Sequence, residues 1–490
     1  MKRPFRNSLA VVLAGLMLLT AGCMVGPRYK RPDAPVSPTF KEPLPEGWKQ
    51  AQPNDAVIRG KWWEIYNDPE LNALEEQVNI SNQNLIAAEA VFRQARDAVR
   101  IARAALFPTL STSPAIVNSK ASGTLTNNQD RAAFVPGVRT DYTLPFDLSY
   151  QADIWGSVRR NVRANVETAQ ATAAQLENAR LTFHAELAQD YFQLRGTDSD
   201  QELLERTVKS YEQFLLLTQN RLKAGVASGG DVAQAETQLY TARAQLIDLG
   251  VARAQLEHAI AILIGKPPSA LSVSHGILKS PPPPIPVGVP SVLLERRPDI
   301  AAAERTMAAA NEQIGIAQAA FYPSLLLSAT GGLETSNIAQ WFTWPSRFWS
   351  VGPQMAETLF DAGKRRAQVA SAQAGYDATV ADYRQAVLTG FQQVEDNLAA
   401  LRVLAEEAVA EDQAVQAAQR SLQISTYQYK AGTTSYLQVI ITQAIALQGE
   451  RTAVDILTRR MIASVLLIQA LGGGWDASTL PAVNDLIHGK

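Results

Sequence analysis

The chain has 490 residues, with 45 basic and 47 acidic side chains and one cysteine. This near balance of charge offers no basic face for nucleic acid, and a single cysteine excludes a disulfide framework and a thiolate zinc site. No phosphate-binding glycine loop or nucleophile motif is present and the histidines lack metal-ligand spacing, so no cofactor and no enzyme activity are expected. The four histidines are His184, His258, His275 and His488.

The first residues predict export from the cytoplasm. Lys2, Arg3 and Arg6 precede an apolar stretch from Ser8 to Ala21, which is shorter than the about 20 residues that a membrane-spanning helix needs. Such a stretch is typical of a cleaved signal peptide, here residues 1–22. This leader carries three basic and no acidic residues, so its removal leaves 42 basic against 47 acidic residues, or −5.

The end of the leader has the form of a bacterial lipobox. The segment Leu19-Thr20-Ala21-Gly22-Cys23 places small residues directly before the only cysteine. Cys23 is therefore predicted to be lipidated, with palmitate as one of the attached acyl groups. The alternative is an ordinary signal peptide with a chance cysteine. Met24 stands where Asp would favour retention in the inner membrane, so the outer membrane is expected. Residues 23–67 are assigned to an N-terminal lipoprotein segment.

The chain contains two copies of one unit. Two segments recur 215 positions later and a third recurs after 207 positions: Leu85–Glu89 as Ile300–Glu304, Ala104–Pro108 as Ala319–Pro323, and Lys223–Gly225 as Lys430–Gly432. These collinear matches indicate a tandem duplication, with about 8 extra residues in the first copy between Pro108 and Lys223. The copies are assigned to residues 68–265 and 291–474, and a C-terminal tail to 475–490.

Each copy is predicted to form a short helix, a pair of strands, a long helix, a tight turn and a returning helix. In the first copy an apolar residue recurs every three or four positions across Gly156–Lys223, and no proline interrupts the stretch, which predicts one continuous helix. Its roughly 67 residues would extend about 100 Å at about 1.5 Å per residue. Two shorter helices, 84–106 and 231–264, are expected to stack end to end along it.

Strict alternation of apolar and polar residues over Tyr142–Ile154 predicts a strand with two different faces. Its length suits a tilted outer-membrane strand of about 9–11 residues plus overhang, with even-numbered residues toward lipid and odd-numbered ones toward a lumen. Residues 349–359 alternate less cleanly in the second copy, and the partner strands are placed at about 109–125 and 324–334. Four strands cannot close a barrel and no later segment suits a membrane helix, so spanning requires two or more chains.

Two further segments fit this plan. An aromatic cluster stands beside the second hairpin, as an interfacial girdle would, with the core of a soluble sandwich as the alternative. Its members are Trp341, Phe342, Trp344, Phe348 and Trp349. Residues 266–290 contain a run of prolines and are interpreted as a stiff linker between the copies, with a PxxP recognition segment as the competing interpretation.

Several short segments of the sequence resemble the TolC family of outer-membrane efflux channels, in particular its OprM/NodT lipoprotein branch. The matching segments follow in order over the mature chain: Cys23–Pro27, Trp62-Trp63 with Asp68-Pro69, Trp155-Gly156, Leu294–Ile300, Phe321–Ser324 and Ala470–Trp475. The resemblance implies an α+β membrane protein, a homotrimer whose four strands per chain form a 12-stranded transmembrane β-barrel above a long periplasmic α-helical barrel. It also implies an exit duct for drugs or other small toxic compounds, docked through a periplasmic adaptor to a proton-driven inner-membrane transporter.

The resemblance gives the two helix–turn–helix tips a role. A glycine ends each long helix, where a left-handed residue is a normal C-cap, and a Ser or Asp is placed to cap each returning helix. By resemblance these tips form the periplasmic mouth that the adaptor contacts, whereas local capping alone is the alternative. The tip residues are Lys223, Gly225, Ser228, Asp231, Lys430, Gly432 and Ser435.

The family also narrows this mouth just after the second turn, at positions matched here by Tyr429, Leu437 and Ile441. Many members carry Asp at the position of Ile441 and Arg at that of Ala444. Because this chain has neither, the resemblance favours an apolar constriction over an acidic, cation-binding gate.

Two other functions are compatible with parts of the pattern. A channel for type I protein secretion would share the architecture, but the lipobox and the order of the matching segments favour efflux. A periplasmic coiled-coil scaffold lipoprotein without a pore would need no alternating strands, and these are present.

Overall fold

The structure is a computed structural model that describes residues 24–43, 60–120, 137–287 and 296–488. The signal peptide, Cys23 and part of the proline-rich linker lie outside the described residues. Among the residues that are described, no helix is both long enough and apolar enough to cross a membrane.

Long helices and a few strands make up the described chain. The helices are α1 (Pro69–Ser81), α2 (Gln83–Ala104), α3 (Ser157–Lys223), α4 (Gly229–Leu263), α5 (Pro298–Ala319), α6 (Lys364–Lys430), α7 (Tyr436–Ala470) and α8 (Val483–His488). The strands are β1 (Thr109–Thr112), β2 (Ala115–Lys120), β3 (Val138–Ala152), β4 (Ser324–Thr335) and β5 (Arg347–Ala356).

Element lengths repeat between the two copies. α2 and α5 each contain 22 residues, with starts 215 positions apart, and α3 and α6 each contain 67 residues, with starts 207 positions apart. α4 and α7 each contain 35 residues, again 207 positions apart. In each copy the two shorter helices pack against the long one. The predicted duplication and helix arrangement are therefore confirmed.

The helix α1, like the short α8 in the C-terminal tail, is additional to the predicted elements. It begins after Asp68, whose carboxylate accepts hydrogen bonds from the backbone N–H groups of Glu70 and Leu71 at 3.0 and 3.1 Å. Pro69 occupies the first helical position, where it costs no hydrogen bond. Leu71 and Val78 are fully buried against the rest of the chain, so α1 is stabilised mainly by its apolar side.

The five strands of the described residues form one antiparallel sheet in the order β1/β2–β3–β4–β5. β1 and β2 pair with β3 in one register, from Thr109 opposite Ser149 to Lys120 opposite Val138. They are the two parts of one predicted strand, interrupted near Pro114, which has no N–H for the ladder. The four predicted strand positions are thus present, the first of them in two pieces.

The boundaries of β3 differ from the prediction of Tyr142–Ile154. The strand begins at Val138 and ends at Ala152. It ends there because the carboxylate of Asp153 accepts hydrogen bonds from the N–H groups of Val158 and Arg159, at 2.9 and 3.0 Å, and so starts α3.

The largest hydrophobic core lies where the two copies meet, about midway along α3 and α6. We call it the equatorial core. It is formed by side chains of α1, α2, α3, α4, α6 and α7 together with the segments before α1 and after α4, and its fully buried members include Trp62, Leu187, Leu194, Ile260, Leu398 and Ile468. The core therefore fixes the two copies to each other between the sheet at one end and the helical turns at the other.

Candidate functional site: a two-faced sheet and two helical tips

Strand pairing brings the apolar residues of the sheet onto one face. Residues directly opposite each other project to the same side, and Leu148 lies opposite both Leu110 and Ala329. Ala329 in turn lies opposite Val351 of β5. Leu110, Leu148 and Val351 are all exposed in the chain. This apolar face is a contiguous surface of the kind that contacts membrane or another chain.

The opposite face of the sheet is polar. It carries Thr143, Asp147 and Ser149 from β3 and Thr330 from β4, and the hydroxyl of Thr330 donates to Asp147 at 2.7 Å. Leu326 and Phe348 are exceptions on this face. The predicted separation of even- and odd-numbered residues in β3 thus continues through the middle of the sheet, an arrangement that suits lipid on one side and water on the other. Toward one end of the sheet the separation is incomplete, since Asn118, Thr140 and Arg347 lie on the apolar face.

Aromatic side chains cluster at both ends of the sheet. At the β4–β5 connection the ring of Trp341 packs against that of Tyr142, with centroids 5.4 Å apart, and Trp344 is exposed. At the opposite end Trp155 stacks on Tyr322 at 4.6 Å. The aromatic cluster predicted at one end therefore has a counterpart at the other, as a sheet with two membrane interfaces requires.

Arg160 fixes the N-terminal segment to the junction between the sheet and α3. This arginine is only 1% exposed, and it donates from Nε to the carbonyl of Val25 and from Nη2 to that of Pro27, at 2.5 and 3.1 Å. Its Nη1 donates to the carboxylate of Glu312 on α5 at 2.8 Å. One side chain thus joins the first copy, the second copy and the N-terminal segment.

Glycines allow this close contact. Gly26 has a φ of 109°, and a Cβ at this position would lie 2.5 Å from the Cα of Gly315. No larger residue could occupy position 26 without displacing α5. We call this arrangement, formed by Val25–Pro27, Arg160, Glu312 and Gly315, the N-terminal clamp. It holds the chain directly after Cys23 at the helical end of the sheet.

Both long helices end in the same type of turn. Gly225 and Gly432 have φ values of 74° and 77°, the left-handed conformation that glycine adopts without strain. The next residue in each turn, Val226 or Thr433, donates its N–H to a carbonyl five residues earlier at 2.9 Å. These bonds satisfy carbonyls that the helix end leaves without a partner. The predicted C-caps are therefore present at both tips.

The two returning helices begin differently. Ser228 Oγ accepts a hydrogen bond from the N–H of Asp231 at 3.1 Å, and Asp231 Oδ2 accepts one from the N–H of Ser228 at 2.9 Å. Ser435 occupies the equivalent position before α7, but its side chain makes no capping bond. The capping prediction is correct for the first tip and wrong for Ser435, where Gln438 occupies the position equivalent to Asp231 and no reciprocal bond forms. Of the seven predicted tip residues only Asp231 is half-buried, and the others are exposed.

The tips of the two copies contact each other. The guanidinium of Arg221 lies over the ring of Tyr429, 4.8 Å from its centroid, and donates to the carbonyl of Lys430 at 3.4 Å. The Tyr429 ring packs on that of Tyr436 at 5.3 Å, and both are buried beside Ala235 of α4. Burial raises the pKa of Tyr436, so its phenol stays uncharged at neutral pH.

An apolar stripe follows the second tip on the surface of α7. Leu437 and Ile441 share a helix face, as their spacing predicts, and are 53% and 44% exposed. Ile445 continues the stripe one turn further. It was not predicted, although its spacing of four residues from Ile441 could have identified it from the sequence. Tyr429, by contrast, is 3% exposed and enclosed by helices of its own chain. Its ring supports the start of α7 through Tyr436 and does not belong to the stripe.

A buried pair in the equatorial core shares one proton. His184 Nδ1 lies 2.6 Å from Glu75 Oε2, and Nε2 lies 3.1 Å from Asn79 Oδ1. Because an amide oxygen only accepts, Nε2 carries a hydrogen. Because burial disfavours charge on both groups, the proton between them is assigned to Glu75, which donates to Nδ1. Trp63 stacks on the imidazole at 4.5 Å. Burial raises the pKa of Glu75 well above its usual value, and burial, with a smaller contribution from Arg180, lowers that of His184 to about 3.

This pair predicts a plateau of stability between pH 4.5 and 6.5, the ordinary pKa values of the two groups. Within this window the unfolded chain binds one proton, on His184, and the folded pair also binds one. Above it the unfolded histidine loses its proton while folded Glu75 keeps its own, so the free energy of unfolding falls as pH rises. Below it the unfolded chain binds two protons and the folded pair one, so the free energy of unfolding falls as pH drops.

The variant Glu75→Gln retains a donor to His184 but cannot titrate. The loss of stability above pH 6.5 should disappear. The fall in the free energy of unfolding as pH drops should begin at pH 6.5 instead of 4.5. Thermal unfolding followed by circular dichroism across this range measures both effects, with Glu76→Gln, on the same helix but 44% exposed, as control. If Glu75→Gln loses stability above pH 6.5 as wild type does, the assignment of the shared proton to Glu75 is wrong.

Comparison with known proteins decides the family. The sequence model of the family described as outer membrane efflux protein matches residues 74–266 and 289–473. The chain belongs to the outer membrane efflux protein family. The two matched ranges correspond to the two structural copies, one match for each.

Relatives within the family cover nearly the whole chain. The solvent efflux pump outer membrane protein SrpC of Pseudomonas putida is 30% identical over 465 residues, which are 94% of this chain and 97% of that protein. The pyoverdine export outer membrane protein OpmQ of Pseudomonas aeruginosa is 30% identical over 472 residues, 95% of this chain and 98% of that protein. The solved structure of the outer-membrane channel OprN matches with a TM-score of 0.82 and 28% identity, covering 92% of this chain and 100% of that one.

Family membership confirms the main expectations from the sequence. The fold combines a β domain with long helices, and the protein is an outer membrane efflux protein whose family consists of channel and transport proteins. The trimer, the lipid on Cys23, the adaptor contacts of the tips and the gate residues remain predictions.

Proposed function

We propose that this protein is the exit duct of a tripartite efflux pump, a passive channel that conducts small toxic compounds from the periplasm to the exterior, and that it is not an enzyme. The observation that carries the proposal is the two-faced sheet, joined directly to helices of 67 residues. The apolar face suits lipid and the polar face a water-filled passage. At about 1.5 Å per residue such helices extend roughly 100 Å from the sheet.

The proposed assembly is a homotrimer with a 12-stranded barrel. Within the described residues, β5 and the β1/β2 strand each have one edge without a partner strand. Open edges are not tolerated in lipid, and four strand positions are fewer than the 8 of the smallest outer-membrane barrels. Three chains supply the 12 strands that the family resemblance implies.

The helical tips are the proposed contact with the periplasmic adaptor, which connects the duct to a proton-driven inner-membrane transporter. Lys223 and Lys430 stand exposed at the ends of the two long helices. The names of the relatives mention solvents, toluene, antibiotics and pyoverdine. The duct is therefore proposed to accept chemically different small molecules, with the transporter selecting among them.

The closed mouth of the duct is proposed to depend on apolar contact among the copies of Leu437 and Ile441. A narrow apolar ring opposes ions by dewetting. Leu437→Ser and Ile441→Asp should each raise the single-channel conductance in planar bilayers. Divalent cations should block the Asp variant more than wild type, because three carboxylates then stand near one axis, although raised pKa values neutralise part of this charge.

Val409→Ser is the matched control, since Val409 is an exposed apolar residue of α6 away from the tip. Its conductance should equal that of wild type. Unchanged conductance in both tip variants would place the constriction elsewhere. If the wild-type protein forms no conducting channel, the proposed function as an exit duct is wrong.

Cys23 is the proposed site of lipidation. It lies outside the described residues, and the proposal is supported by the lipobox and by the N-terminal clamp, which holds the following residues beside the sheet. Cys23→Ser should abolish metabolic labelling with palmitate, while assembly survives because the barrel anchors the protein by itself. Thr20→Leu, which makes the lipobox more typical, should keep the label. Labelling that persists in Cys23→Ser would refute the assignment.

A further inference from the structure

The outer end of the sheet, the end away from the helices, has a surface chemistry of its own on the apolar face. We propose that this end binds the phosphate groups of lipid A, the glycolipid base of the lipopolysaccharide in the outer leaflet of a bacterial outer membrane. This inference rests on the proposed duct and names the lipid that the sheet contacts at its outer end.

Charged side chains are separated between the two faces of the sheet. Among the described strand residues the apolar face carries two cations, Lys120 and Arg347, and no acid. The acids Asp141, Asp147 and Glu334 all lie on the polar face. The cations on the lipid side therefore have no strand anion beside them, and an anionic headgroup of the membrane would complement their charge.

Both cations stand at the outer ends of their strands. Lys120 is the last residue of β2 and Arg347 is the first residue of β5. A cation on the lipid face is costly near the middle of the bilayer and costs little near the interface with water. The inner end of the same face, at Leu325 and Met355, carries no cation among the described strand residues. The cationic end therefore belongs to the outer leaflet, which contains the phosphorylated glycolipid.

The guanidinium of Arg347 is oriented by Trp344. Its Nε donates to the carbonyl of Trp344 at 3.0 Å, and the group stacks on the indole ring. The two terminal nitrogens have no acceptor among the residues that the structure describes, and the side chain is exposed. A guanidinium held in this way presents a fork of N–H groups that matches a pair of phosphate oxygens. Arg347 is therefore the main proposed contact of a phosphate group.

Polar groups lie beside Lys120. Thr140 lies opposite Asn118 on the same face, and its hydroxyl donates to Asn118 Oδ1 at 2.6 Å. Within the described chain the Nδ2 group of Asn118 has no acceptor, so it can donate to a sugar hydroxyl or a phosphate oxygen. Lys120 adds a point charge that suits a phosphate. This combination fits a phosphorylated sugar better than the headgroup of a simple phospholipid.

Exposed aromatic rings complete the outer end of this face. Trp344 and Trp349 are 77% and 79% exposed, and Trp349 follows Arg347 on the same face of β5. Tryptophan is typical of membrane interfaces because its ring has an apolar body and a polar N–H group. The rings can contact the acyl chains and sugar faces of lipid A, which a free phosphate ion lacks. Lipid A should therefore bind more tightly than inorganic phosphate.

Binding of lipid A can be measured directly. The assembled protein, purified in detergent and freed of bound lipid, is titrated with lipid A, and the bound lipid is counted by native mass spectrometry. The double variant Lys120→Gln with Arg347→Gln should bind at least about tenfold more weakly than wild type, because hydrogen bonds to charged groups are lost. Lipid A whose phosphates have been removed should bind wild type equally weakly. Inorganic phosphate in excess should not release lipid A.

Arg139→Gln is the matched control, because Arg139 stands at the same end of the sheet but on the polar face, where it pairs with Asp141 at 2.6 Å. It should bind lipid A as wild type does. Wild-type affinity of the double variant would overturn the proposal, and so would phosphatidylglycerol that binds as tightly as lipid A. Release by inorganic phosphate would reduce the site to one for the free ion. Single-channel conductance in bilayers of phosphatidylcholine tests the duct separately, so a protein that conducts but does not bind lipid A contradicts this inference alone.

Discussion

Replacing Leu148 with arginine should lower the free energy of unfolding by about 2–4 kcal/mol, whereas Ser149→Arg should cost far less. Leu148 lies on the apolar face, opposite Leu110 and Ala329. In the proposed barrel its side chain is near the middle of the bilayer, where a cation has neither water nor a partner. Ser149 projects to the polar face, where water hydrates an added charge.

The two substitutions stand side by side in β3 and introduce the same residue, so each controls for the strand propensity of the other. Urea unfolding of the assembled proteins, with the yield in the outer membrane as a second readout, measures the difference. Equal costs, or the reverse order, would mean that the register or the membrane assignment is wrong.

A second large effect is expected at the N-terminal clamp. Arg160→Met should destabilise the protein by about 3–5 kcal/mol, because it leaves a buried carboxylate without its cation. Arg160 and Glu312 are only 1% and 7% exposed, and their ion pair measures 2.8 Å. The same change removes two hydrogen bonds to the N-terminal segment. Trypsin should therefore also cleave faster at Arg28, and unfolding by urea measures the loss of stability.

Two controls separate charge from packing. Glu312→Leu added to Arg160→Met should recover most of the stability, since an apolar pair often replaces a buried ion pair without loss. Arg31→Met alters the same segment, but its side chain is 38% exposed and should contribute at most about 1 kcal/mol. A double variant as unstable as Arg160→Met would show that the bonds to Val25 and Pro27 dominate, contrary to the ion-pair explanation.

The periodic parts of the fold could be predicted from the sequence. Apolar residues at spacings of three and four continue through α3, and glycines at Gly156 and Gly225 mark its two ends, so the predicted bounds are correct to one residue. The alternation in β3 likewise predicts which residues share a face. α1 is harder to predict from the sequence, because its 13 residues contain few repeats of the apolar pattern and its start depends on Asp68 and Pro69.

Contacts between distant polar residues could not be predicted in this way. Arg160 and Glu312 are 152 positions apart, and His184 and Glu75 are 109 apart. Local patterns do not select these partners among the many charged residues of the chain, because the pairs form only when helices that are distant in sequence pack together. The same holds for Tyr429, whose sequence position places it near the mouth but whose burial depends on the contact between the two tips.

The difference in length between the copies has a consequence for which changes the chain can tolerate. Asn118 lies opposite Thr140, and their equivalents Leu333 and Arg347 also lie opposite each other. The extra residues of the first copy therefore all fall within the hairpin connection between Asn118 and Thr140, while the helices match in length. One additional helical turn in a single copy would move its tip by about 5.4 Å and leave a step in the rim of the proposed mouth. The outer hairpins can lengthen one at a time, so peptide tags belong there, whereas any change in helix length must be made in both copies together.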